Sequence, residues 1–173
     1  MVPDFRLRIQ SMLRAMQEVV IPAIPAGERL ALDQASIVVG NLKLMAEQQD
    51  KLYRYELVEL REYAALVTEL IDAAGGGAST EAARESLRNS AGVVTMPIPT
   101  QPELTGLTKA MKHAADTLLR AAYEDGSPEF RRAAAQLVMK QSASQITRER
   151  SWFRAAGFEL EPESLPPLDE LLA

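Results

Sequence analysis

Few residues in this chain have the type and spacing that catalysis or ligand binding requires. Helical spacing places the single histidine, His113, on a face with Lys109, Asp116 and Arg120, opposite the apolar heptad of its own segment. Such a face is an ordinary solvated one before it is an acid–base site. The paired Glu-x-x-His ligands of di-iron carboxylate bundles are missing, because Ala110 stands three before that histidine. Glu56, Glu59 and Glu62 follow one another at three-residue intervals, and carboxylates so spaced could share a cation or a proton if turned inward. Arg54 and Arg61 are interleaved with them, the mixture of a salt-linked surface helix. There is no cysteine, which excludes disulfides, thiolate metal sites and cysteine nucleophiles. No metal or cofactor is expected.

Other motifs are weaker still. Gly75-Gly76-Gly77-Ala78-Ser79-Thr80 lacks the preceding strand and the lysine of a phosphate cradle and reads as a flexible linker. No Gly-x-Ser-x-Gly elbow occurs. Arg148, Arg150 and Arg154 surround Trp152 and Phe153, but with Glu149 among them and an acidic tail nearby the aromatics read as packing residues, not a nucleotide platform. The most informative pattern is a seam in which Leu30, Ile37 and Leu44 alternate with Gln34, Asn41 and Gln48. Amides in an apolar seam fix register or partner number. The rival reading makes Gln34, Asn41 and Gln48 the polar lining of a small-molecule pocket between helices.

These residues depend on the stretch from Leu30 to Ile71, which has no proline and one glycine, Gly40. At about 100° per residue, Ala35, Val38, Leu42, Met45, Gln49, Leu52, Leu57, Leu60, Ala64, Val67 and Ile71 stay within a stripe about 140° wide. One unbroken helix is the favoured reading, a rod of roughly 65 to 70 Å. A compact chain of 173 residues is only about 40 Å across. The overhanging stripe, with Leu42, Met45, Leu52, Leu57 and Leu60 as its interface, would then seek a second copy. The competing reading breaks the stretch near Glu47-Gln48-Gln49-Asp50 and lets Asp50 cap a second helix.

Before this stretch, Pro3 and Asp4 open a helix expected to end at Ile21, ahead of a stiff link through Pro22, Pro25 and Gly27. After it, Ser79 or Thr80 caps a short helix, and residues 91–101, with two prolines, form an extended crossing. Thr100 and Glu103 form a capping box before Leu104, Leu107, Met111, Ala114, Leu118 and Ala121. Ser127 and Pro128 start a last long helix, with a polar middle at Gln141, Ser142, Ser144 and Gln145, closed by Gly157. The remainder is a proline-interrupted acidic tail, read as a strap over its own domain or a docking peptide.

The expected fold is all-α, a bundle of four or five helices organised around one long central helix, with a bundle domain over 1–157 and a tail over 158–173. A formal charge of −5 argues against nucleic acid and anionic lipid as partners. No run is long enough to span a membrane and the N-terminus does not read as a signal peptide, so a cytoplasmic location is expected.

Val19-Val20-Ile21-Pro22-Ala23-Ile24, followed by a helix carrying Ala35, Val38, Val39 and Asn41, resembles a small uncharacterised bacterial helical family. That family is found beside aminoglycoside-phosphotransferase-like and acyl-CoA-dehydrogenase-like proteins. The likeness covers the first third of the chain and implies an accessory domain, with no catalytic residues to carry over. Together these readings favour a non-enzymatic accessory or protein-interaction domain acting as a homodimer, with a larger protein as a further partner. The small-molecule-binding bundle is the alternative, and an enzyme using the Glu56 to Glu62 carboxylates ranks last.

Overall fold

The computed structural model describes residues 4–90, 99–157 and 159–173, with the backbone alone for 89 and 90. Among these residues the secondary structure is helical, without a strand. The helices are α1 (Phe5–Ala15), α2 (Ile21–Ala23), α3 (Arg29–Gln48), α4 (Leu52–Ala73), α5 (Ala78–Ser90), α6 (Gln101–Asp125), α7 (Pro128–Trp152) and α8 (Leu168–Leu171). No helix among the described residues is long and apolar enough to cross a membrane. Pro3, most of the 91–101 crossing and Phe158 lie outside the described residues.

The single helix expected from Leu30 to Ile71 is two helices, α3 and α4, separated by a turn at Gln49, Asp50 and Lys51. No glycine or proline causes the break. Tertiary partners hold its side chains instead: the Gln48 amide donates to the Trp152 carbonyl at 2.9 Å, Asp50 pairs with Arg6 at 3.4 Å, and Lys51 pairs with Asp169 at 3.2 Å. Asp50 therefore serves Arg6, not the start of α4 in the manner the competing reading foresaw.

The chain divides into two compact units. One holds residues 1–52 and 148–171 with Ala173, the other 53–147 with Leu172. In the first, Asp4 caps α1 by accepting from the Arg6 N–H at 3.1 Å. The helix passes Ile21, its expected end, through a π-helical segment, Met16–Val20, into α2, which carries Pro22. A proline inside an α-helix loses one N–H and drives its ring into the carbonyl four residues back. The wider turn, in which the Ile21 N–H reaches the Met16 carbonyl, moves those carbonyls aside. Residues 159–171 pack in this unit: Leu165 is buried, Ser151 donates to the Pro166 carbonyl at 3.1 Å, and Arg150 grips Glu159 with its shortest contact at 2.7 Å. The last long helix, expected to run on to Gly157, ends at Trp152, and Gly157, at φ +80°, closes the short 3-10 turn Arg154–Ala156 that follows it.

The second unit is organised by a junction that the linker reading of the glycines missed. The Gly77 N–H donates to the Asp125 carbonyl at 2.9 Å, and the Ser127 N–H donates to the Gly75 carbonyl at 2.8 Å. Gly76 and Gly126 thus form an antiparallel bridge. A Cβ on Gly76 would lie 2.6 Å from the Asp125 carbonyl oxygen, and one on Gly77 2.5 Å from the Asp125 carboxylate. Glycine is needed for the approach, not for looseness. That carboxylate caps α5 from outside, accepting from the Ser79 N–H at 2.7 Å, the Thr80 N–H at 2.9 Å and the Thr80 hydroxyl at 2.7 Å. Thr80 is no N-cap but a fully buried residue inside the first turn of α5.

The core beneath this junction is aliphatic. Leu66, Val67, Leu70 and Ile71 of α4 meet Ala83 of α5, Ala114, Leu118 and Ala121 of α6, and Phe130 and Ala134 of α7. The α6 start follows expectation, with the Glu103 carboxylate accepting from both the Thr100 N–H and hydroxyl at 2.6 Å. So does the α7 start, where the Ser127 hydroxyl accepts from the Phe130 N–H at 3.1 Å. The polar middle of α7 packs against α4: the Gln145 side-chain oxygen accepts from Tyr63 and Gln141, each at 3.0 Å, and Ser144 donates to Glu62 at 2.7 Å.

Candidate interaction surface

Two helices of the first unit build the surface. The short link through Pro25 and Gly27 returns the chain, so α1 and α3 pack antiparallel, the start of α1 beside the end of α3 where Arg6 meets Asp50. The side of α3 given to its own unit carries Ala35, Val39 and Leu42, all buried, and α1 contributes buried Ile9. Leu30, Gln34, Ile37, Asn41, Met45 and Gln48 lie roughly 120° round α3 from that side.

This second side is largely open. Leu30 is 74% exposed, Ile37 55% and Met45 44%, with Val38 and Leu52 also exposed. On α1, Phe5 and Met12 repeat the seven-residue step and Val19 continues it in the π-helical segment, at 52%, 45% and 66% exposure. Among the described residues, ten of the fifteen exposed large apolar side chains fall between Phe5 and Leu52, seven of them on α1 and α3, so the apolar surface is concentrated in this first part of the chain.

The two stripes join on one side of the pair. Phe5, Met45, Gln48, Gln49, Leu52 and Trp152 line a common cavity of about 450 Å³. The other side is charged, where Arg6, Gln10, Ala46, Glu47, Asp50 and Lys51 line a cleft of about 370 Å³. Eight side chains of the apolar side, each exposing about half its surface, present on the order of 700 Å². That exceeds the roughly 300–600 Å² of the largest patch on an ordinary monomer and approaches the roughly 800 Å² each partner gives to a standard interface.

The expected site residues divide between these surroundings. Gln34 and Asn41 are exposed, the Asn41 amide donating to the Ile37 carbonyl at 3.0 Å, and Gln48 is half-buried against Trp152. Of these three, Gln48 alone lines the cavity. Met45 and Leu52 belong to the open side, whereas Leu42 and Leu60 are buried and Leu57 is half-buried. Sequence reasoning passed over Phe5, Met12 and Val19 as surface residues, because their spacing reads equally well as a core face.

Other chemistry-bearing groups lie apart from this surface. Glu56, Glu59 and Glu62 turn to Gln101 at 3.5 Å, Lys112 at 2.8 Å and Ser144 at 2.7 Å. His113 is exposed, while Arg120 pairs with Asp116 at 2.8 Å on the same helix. Arg148 is buried, Trp152 half-buried and Phe153 exposed. Among the described residues no three His, Asp or Glu side chains gather as metal ligands. Comparison of the chain with family models, curated proteins and solved structures found no match.

Proposed function

We propose that this chain is a non-enzymatic interaction domain that forms a homodimer through the apolar side of the α1–α3 pair. The observation that carries the reading is the run of half-exposed large apolar side chains on two adjacent antiparallel helices, Phe5, Met12 and Val19 beside Leu30, Ile37 and Met45. Water contact over that area is unfavourable, and an antiparallel helix pair meeting a second pair makes a four-helix bundle, the simplest all-α way to cover it. The accessory role implied by the resemblance of the first third agrees with a domain whose work is assembly.

The test is light scattering across a concentration series, on the native chain and on Ile37→Lys. The native chain is expected to hold twice its monomer mass, and the variant to fall to the monomer with its helicity intact. A native chain that stays monomeric at high micromolar concentration overturns the proposal.

A second reading has one observation in its favour, the cavity between Phe5, Met45, Leu52 and Trp152 with two glutamine amides at its wall. Apolar walls with a few polar groups suit a small aromatic or acyl ligand. A thermal-shift screen on the native chain should then find compounds whose effect disappears in Trp152→Ala.

A further inference from the structure

We infer that the second copy docks with its α3 antiparallel to the first α3, about a two-fold axis that passes at Asn41. The inference rests on the homodimer proposed above and adds the geometry of the interface. Its basis is a symmetry in the open side of α3. Counting outward from Asn41, Val38 and Leu44 stand three residues away, and Ile37 and Met45 four away. Gln34 and Gln48 follow at seven, and with Gln48 the helix ends. Apolar matches apolar and amide matches amide in both directions.

An isologous contact sets residue i against j and j against i. Two antiparallel copies of α3 centred on Asn41 would therefore bring Ile37 to the partner's Met45 and Gln34 to the partner's Gln48. Side-chain amides, each holding both donor and acceptor, satisfy one another in such pairs. At the axis Asn41 meets its own copy. One of its N–H groups already reaches the Ile37 carbonyl at 3.0 Å, leaving the side-chain oxygen and second N–H for the partner amide. A polar residue at the centre of an apolar seam fixes register, because any slip buries an amide against a methyl group. The rival arrangement, with the axis parallel to the helices, packs α3 on the partner's α1 and gives the symmetric pattern no role.

The absence of cysteine makes single-site spin labelling clean. Arg29→Cys and Glu47→Cys place labels on exposed residues that share one azimuth of α3, about 120° from the seam. In the antiparallel dimer, a label and its copy are offset along the helix direction by about 18 Å at position 47 and by about 36 Å at position 29. The expected result is a pulsed electron–electron distance on the order of 10 Å longer at 29 than at 47. Equal distances at the two positions in a sample that scatters as a dimer overturn this arrangement and leave the homodimer standing. A monomer by scattering overturns both. As a second measurement, unlabelled Asn41→Cys should oxidise to a disulfide-linked dimer, since the two Cα atoms at the axis lie within bonding reach. Failure of that bond in an intact dimer also counts against the axis at Asn41.

Discussion

Thr80→Val probes the junction on which the second unit is built. The substitution keeps the β-branch and nearly all the volume, so it removes one hydroxyl. That hydroxyl is fully buried and lies 2.7 Å from Asp125 Oδ1 and 3.2 Å from the Ala121 carbonyl oxygen. Hydrogen bonds to an ionised partner contribute roughly 1.5–3 kcal/mol, and the carboxylate keeps its bonds from the Ser79 and Thr80 N–H groups when the hydroxyl is removed. The expected loss is about 2–3 kcal/mol, read as a lower urea midpoint at unchanged slope by circular dichroism. In a thermal scan it corresponds to roughly 4–12 °C for a chain of this size.

The loss should also depend on pH in a definite direction. The Thr80 hydroxyl, followed by the Ser79 and Thr80 N–H groups, holds the Asp125 carboxyl below its ordinary pKa, against the opposing effect of burial. A carboxyl lowered in this way stabilises the fold fully above its unfolded value, about 4, and loses that contribution as pH falls through the folded value. The gap between the native chain and Thr80→Val is therefore widest near neutral pH and narrows below about pH 4. A gap under about 0.5 kcal/mol at neutral pH, within the range of ordinary surface substitutions, would refute the argument that this hydroxyl holds the junction. So would a gap that widened in acid.

Two further outcomes follow from the same unit. Gly77→Ala puts a methyl group on the Asp125 carboxylate, where the Cβ would lie 2.5 Å from Oδ2, and should destabilise by about 1–3 kcal/mol through displacement of that cap; Gly106→Ala, with open space at its Cβ, is the control and should be neutral or slightly stabilising. Leu118→Ala, at a fully buried position in the aliphatic core, should cost about 2–5 kcal/mol in urea unfolding, and a cost under 1 kcal/mol would mean the core closes over the gap.

Helix starts were legible where a local bond decides them. Thr100 with Glu103 and Ser127 with Pro128 each fix a boundary within a few residues, and Gly157 marks an end by its left-handed conformation. The long-range features were not legible. The turn at Gln49–Lys51 is held by Arg6, Trp152 and Asp169, residues far away in sequence, so a stretch without glycine or proline read as continuous. Asp125 caps a helix that begins some 45 residues earlier, and nothing near Asp125 in the sequence names that helix. Gly76 and Gly77 signalled freedom of the backbone when the requirement was closeness. The seam of Leu30, Ile37 and Leu44 with its amides was visible as a pattern, but its exposure depended on which side α3 gives to α1.

Trp152, the only tryptophan, stands half-buried where it lines both the apolar cavity and a second one of about 430 Å³ beside Pro162, Pro166 and Pro167. Its emission therefore watches one unit, while most of the ellipticity from α4, α5 and α6 watches the other. A single denaturation series read by both signals would reveal whether the two units melt together, without adding a dye or changing a residue.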